Sequence, residues 1–99
     1  MSYALKITLK AKKSLDQNLD YLKKEWGLKV TNGFIDRVEN VYDTIRENPY
    51  LFPLHLPAKK IRRCIVHRRI ILFYRISSNT KVSIILFWNT SQNPDKLKL

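Results

Sequence analysis

Seven bases and no acid occupy the 17 residues from Lys59 to Arg75: Lys59, Lys60, Arg62, Arg63, Arg68, Arg69 and Arg75. Arginine's planar fork matches the oxygens of phosphate and carboxylate, so the segment is suited to an anionic partner. Metal-independent RNA cleavage would ask for more. It needs a base for the 2′-hydroxyl, an acid for the leaving 5′-oxygen and cations for the charge-rich phosphorane. Within the segment the proton-transfer candidates are His67, near a turn between two strands, and Tyr74, flanked by Arg75. Read without chemistry, His67 is a solvated turn residue, Tyr74 a core aromatic, and the arginines a surface for an acidic protein segment.

The remaining reactive residue types read as structural. His55 sits between Leu54 and Leu56 in a proline-rich loop. Asp16 and Asp20 share a helix face at i, i+4, but Lys12, Lys13, Lys23 and Lys24 surround them, which predicts surface ion pairs. Cys64 is the single cysteine. It offers no internal disulfide or zinc cluster and fits a small buried apolar residue in a reducing cytoplasm. Gly27 and Gly33 are the only glycines, so there is no glycine-rich phosphate loop. Neither a cofactor nor a metal site is expected.

Charge sharpens the picture. Lys plus Arg is 19 against 8 Asp plus Glu, a net +11. Residues 1–50 hold nine bases and seven acids, whereas residues 51–99 hold ten bases and only Asp95. A domain so basic in one half is expected to bind nucleic acid or an acidic protein segment. With 99 residues, 44% of them apolar, the chain is expected to form one domain over residues 1–99. Its longest apolar runs, Ile70–Tyr74 and Ser83–Trp88, are far below the roughly 20 residues of a membrane span. Residues 1–30 carry seven Lys and no apolar leader core, so a cytoplasmic protein without a membrane partner is expected.

The elements that must position these residues follow from periodicity. Tyr3, Leu5, Ile7 and Leu9 alternate with Ala4, Lys6, Thr8 and Lys10, which predicts a strand. From Ala11 the period lengthens: Leu15, Leu19, Leu22 and Trp26 form one helical stripe, which Gly27 ends. A second stripe, Val30, Phe34, Val38, Val41 and Ile45, runs to Asn48-Pro49. Residues 49–60 read as a loop. Ile61–His67, Arg69–Ile76 and Val82–Trp88 read as strands, the last two joined by a polar turn in which Asn79 can take positive φ. Strict alternation puts Ile70, Leu72, Tyr74 and Ile76 on one face and Ile71 and Phe73 on the other. It likewise separates Val82, Ile84, Leu86 and Trp88 from Ile85 and Phe87. The helices can cover only one face, so the other needs the tail, a second copy or a partner. The fold class is α+β, strand–helix–helix–strand–strand–strand: a two-helix hairpin packed on one face of a mainly antiparallel twisted sheet.

That ordered pattern resembles the RelE/ParE toxins of bacterial type II toxin–antitoxin systems, over about residues 3–97. Its carriers are the opening strand with Ala11, Leu15, Leu19-Asp20-Tyr21-Leu22 and Trp26-Gly27, then Ile45 and Asn48-Pro49. Ile61-Arg62-Arg63, Ile71-Leu72-Phe73-Tyr74-Arg75-Ile76, Ile84-Ile85-Leu86-Phe87 and Gln92-Asn93-Pro94-Asp95-Lys96-Leu97 complete them. The resemblance implies a toxin, of the kind tied to plasmid stabilisation, held off by a cognate acidic antitoxin encoded in the adjacent frame. It implies assembly as a homodimer or as a heterotetramer with that antitoxin. ParE-like members poison DNA gyrase without a nuclease site; RelE-like members cut mRNA on the ribosome. The ParE-like reading leads here, with RelE-like cleavage as the alternative and a non-toxic nucleic-acid-binding module as a third. Related closing segments carry an Asp-Asn-Arg-Gln-x-Pro pattern; here Asn89 stands where the acid would be and Ser91 where the arginine would be.

Overall fold

A computed structural model describes residues 2–99. Its elements are β1 (Ala4–Ile7), α1 (Leu9–Glu25), α2 (Gly27–Glu47), β2 (Leu54–Leu56), β3 (Ile61–His67), β4 (Ile70–Ile76) and β5 (Lys81–Asn89). Single 3₁₀ turns cover Pro57–Lys59 and Pro94–Lys96. The five strands form one sheet in the order β1-β5-β4-β3-β2; β1 pairs with β5 in parallel and every other pair is antiparallel. The expected α+β hairpin-on-sheet architecture is observed.

Local chemistry explains where it departs from periodicity. β1 stops at Ile7 because Thr8 is the N-cap of α1, its hydroxyl accepting the Ala11 N–H at 3.1 Å. Leu9, expected in the strand, therefore lies in the first helical turn and is exposed. Gly27 takes φ +86° between the helices, a conformation that side-chain-bearing residues reach only with strain. The loop 49–60 is not wholly irregular. Leu54 and Leu56 pair with Arg62 and Ile61, and Pro53 and Pro57 bracket this edge strand and keep it to three residues. In the β4–β5 turn Asn79 does not take positive φ; among the described residues other than glycine only Lys60 does. The Ser77 and Ser78 N–H groups donate to the Lys81 carbonyl instead.

The largest correction lies in β5. Phe73 pairs with Leu86 but Tyr74 pairs with Ile84, so Ile85 is the extra residue of a β-bulge. The bulge breaks the two-residue alternation and redistributes the strand between faces. Val82, Ile84 and Phe87 pack toward the helices with Ile70, Leu72 and Tyr74. Leu86 and Trp88 turn to the opposite face with Ile61 and Phe73, where Leu97 and Leu99 of the tail pack against them. The second apolar face is thus covered by the chain's own tail.

α1 also replaces a strand. β1 accompanies β5 only as far as Ile84. Beyond it, Ser14 Oγ accepts the Phe87 N–H at 2.9 Å and donates to the Ala11 carbonyl at 3.0 Å. Asn18 Nδ2 donates to the Phe87 carbonyl at 3.0 Å and to the Ser14 carbonyl at 2.8 Å. Thr8 Oγ1 donates to the Ile84 carbonyl at 2.8 Å. Truncating Asn18 or Ser14 to Ala leaves a Phe87 backbone group buried and unpaired, at an expected cost of about 1–3 kcal/mol each. Urea unfolding will show the loss. Equal midpoints for wild type and both variants would mean that the helix-to-edge bonds contribute nothing to stability.

Candidate functional site

The basic run from Lys59 to Arg75 does not form one patch. Arg62 pairs with Tyr74 and so projects toward the helix side. There Nη1 donates to the Phe52 carbonyl at 2.7 Å and the Tyr50 carbonyl at 3.3 Å, with the guanidinium 5.2 Å from the centre of the Tyr50 ring. Its work is to clasp the proline loop. Arg68 lies 5.5 Å over Trp26, binding the β3–β4 turn to the end of the helical hairpin. The backbone of Arg69 is held at both ends, its N–H by His67 Nδ1 and its carbonyl by the Thr90 N–H. Arg63 and Arg75 pair with Phe73 and Ile61 on the outer face, and Lys59 Nζ binds the Leu99 main-chain oxygen.

Tyr74, His67 and Arg75, the candidates for catalysis, are kept apart. Tyr74 is fully buried on the helix side, donates to the Pro49 carbonyl at 2.8 Å, and has its phenol pushed up to about 12 by burial. His67 sits at the other end of the β3–β4 hairpin, edge-on to Trp26 with ring centroids 5.1 Å apart. Its Nδ1 accepts the Arg69 N–H at 3.0 Å, and burial, followed by Arg68 and Arg69, holds its pKa below the ordinary 6.5. Arg75 neighbours Tyr74 in sequence but leaves the sheet on the opposite face. A substrate cannot meet all three at once.

A different group of cations does converge. An open concavity of about 1010 Å³ lies on the outer face, lined by Lys6, Lys10, Lys59, Lys60 and Arg75 and bounded by Leu99. No Asp or Glu lines it. The row Lys6, Ser83, Arg75 and Ile61 crosses β1, β5, β4 and β3 in register. Lys59, Lys60 and Arg75 are visible in the sequence as part of the basic run. Lys6 and Lys10 come from the other end of the chain; their signal was the polar side of the first strand's alternation.

The other reactive residues are structural in their geometry. The ring of His55 packs 4.8 Å from Phe73. Cys64 is buried, which pushes its thiol pKa up. Asp16 and Asp20 are exposed, yet the expected ion pairs with neighbouring lysines do not form; Arg46–Asp43 at 2.8 Å is the sole salt bridge among the described residues. Long lysines on a solvated helix have too little to gain from being held in one geometry. No group of three or more metal-ligating side chains occurs among the described residues. No helix is long and apolar enough to cross a membrane. At the start of the tail, buried Asn89 accepts the Ser91 N–H at 2.9 Å and the Ser91 hydroxyl, closing the turn that sends the chain back over the sheet.

A family model described as "ParE toxin of type II toxin-antitoxin system, parDE" matches residues 5–94. Among solved structures, one described as "Chromosomal ParDE TA system from P. aeruginosa" is similar in fold, with a TM-score of 0.69 at 16% identity. The superposition covers 89% of this chain and 96% of that one. No curated protein matches the sequence.

His67 makes the site region sensitive to acid. Its folded pKa lies below the unfolded one, so between the two values the unfolded chain binds more protons. Its contribution to stability is complete above the ordinary value of 6.5 and is lost as pH falls from there toward the folded value. The urea midpoint should drop on acidification through that window, and His67→Gln should flatten the drop. A wild-type midpoint that stays level or rises relative to the variant would contradict this.

Proposed function

The chain belongs to the ParE toxin family of type II toxin–antitoxin systems, and from that premise we propose that it inhibits DNA gyrase rather than cutting mRNA. The observation that carries this choice is the dispersal of the candidate catalytic groups. Tyr74 spends its hydroxyl on the Pro49 carbonyl, His67 spends Nδ1 on the Arg69 amide, and Arg75 lies across the sheet from Tyr74. An inhibitory binding protein needs no general acid or base, so the arrangement costs such a protein nothing.

Membership of a toxin–antitoxin family implies a cognate antitoxin. A net charge of +11 favours an acidic one, most simply the product of the adjacent reading frame. With Arg62 committed to the loop carbonyls, Arg63 on the outer face and Arg69 in the β3–β4 turn are the proposed antitoxin contacts from that run. Toxin and antitoxin would then meet by charge-steered association.

Pulse expression in a sensitive host decides the target. The expected outcome is a DNA-damage response and filamentation while mRNA stays intact, with His67→Gln as toxic as wild type. Rapid mRNA loss with cuts inside codons, abolished by the His67 change, would overturn the gyrase reading.

A further inference from the structure

The basic concavity on the outer face is a cationic surface that the toxin reading does not use. We propose that it binds the phosphate backbone of duplex DNA without sequence specificity. Lys6 and Arg75 stand two strands apart in one register row, each paired with Ser83, which puts their backbones about 10 Å apart. Duplex DNA presents one charge per about 1.7 Å of its axis, so such a row faces several phosphates at once.

Three observations select this partner. The concavity holds five cations and no Asp or Glu side chain, and the main-chain oxygen of Leu99 at its edge is held by Lys59. The aromatics of this face, Phe73 and Trp88, are buried in the cluster under Leu97 and Leu99, so the concavity itself offers no ring on which the bases of a single strand could stack. The same leucines cover the apolar strip that an amphipathic peptide would bury. What stays accessible in the concavity is the five cations, the hydroxyls of Thr8, Ser77 and Ser83, and the edges of Ile76 and Ile85. Duplex backbone requires no more than that.

Lys60 adds an independent clue. It stands at φ 57°, ψ 31°, the left-handed position ending the 3₁₀ turn, where glycine would sit with less strain. Among the described residues its side chain has no hydrogen-bond or salt-bridge partner, yet it lines both the concavity and the neighbouring groove beside Tyr50. Lys10 and Lys59 already hold the main-chain oxygens of Lys98 and Leu99. Lys6, Lys60 and Arg75 are therefore the cations assigned to phosphate.

Fluorescence anisotropy of the purified chain with a labelled duplex of about 20 base pairs, between about 50 and 200 mM salt, tests the assignment. Three phosphate contacts give a log–log salt slope of about −2.7. Lys60→Gly should keep or raise the melting temperature and reduce the slope's magnitude by about 0.9. The double reversal Lys6→Glu, Arg75→Glu should weaken binding more than about tenfold at low salt. Reversal of Lys23 and Lys24, which changes net charge equally but lies at the far end of α1, should leave the affinity within about twofold. If both reversals weaken binding alike, or Lys60→Gly leaves the slope unchanged, the concavity is not the site. Tighter binding of a single-stranded RNA or an acidic peptide, lost with the same residues, would overturn the choice of duplex DNA. The assay contains no gyrase, so its outcome stands apart from the identity of the toxin's target.

Discussion

Phe87 presents a backbone N–H and carbonyl to a side of β5 where no strand follows, and the rest of the architecture depends on how they are paired. An edge that keeps such groups bare either aggregates or pays their desolvation when covered. α1 resolves this with Ser14 and Asn18, which reproduce with side chains the two bonds a neighbouring strand would make. Because those residues are one turn apart, the bonds fix the position of α1 along its axis as well as its rotation. Thr8, tied to the Ile84 carbonyl, fixes where the helix begins. The short first strand, the helix start and the hairpin's seat on the sheet are consequences of one unpaired edge.

The bulge at Ile85 lies on the same stretch of β5. It lets Ile84 and Phe87 both face the helices while Leu86 and Trp88 face away. One strand then feeds two cores, one under the helices and one under the tail. Few apolar side chains remain for the second core, so two leucines and a tail held by Lys10 and Lys59 suffice to close it. The closed tail becomes a wall of the basic concavity. Packing on the outer face and the electrostatics of that face are one arrangement.

Seven bases within 17 residues of sequence end in four different jobs: Arg62 clasps a loop, Arg68 stacks on Trp26, Lys59 holds the tail, and the others face solvent or the concavity. Strand geometry enforces the division, since neighbours on β3 and β4 leave on opposite faces. Tyr74 and Arg75 illustrate it well. Adjacent in sequence, they share no environment: Tyr74 is fully buried under the helices and Arg75 lines the concavity on the outer face.

Helix stripes, the glycine between them and four of the five strands were legible because each is a local period of apolar residues that burial rewards directly. The +11 charge, its concentration in the second half and the family resemblance were equally legible, being properties of order and composition. The partner of β1, the strand inside the proline loop and the bulge were not. Each is decided by which backbone groups remain unpaired once the whole sheet is assembled, and no local window records that. Ser14 and Asn18 read as ordinary polar helix residues until Phe87 is brought against them from more than sixty positions away. Lys6 and Lys10 join Lys60 and Arg75 only because β1 returns beside β5. Sequence determined the two helices, all strands but the one in the proline loop, and how much charge they carry. Tertiary structure alone decided which charges meet, because hydrogen-bond pairing across the sheet, and not proximity along the chain, sets the neighbours.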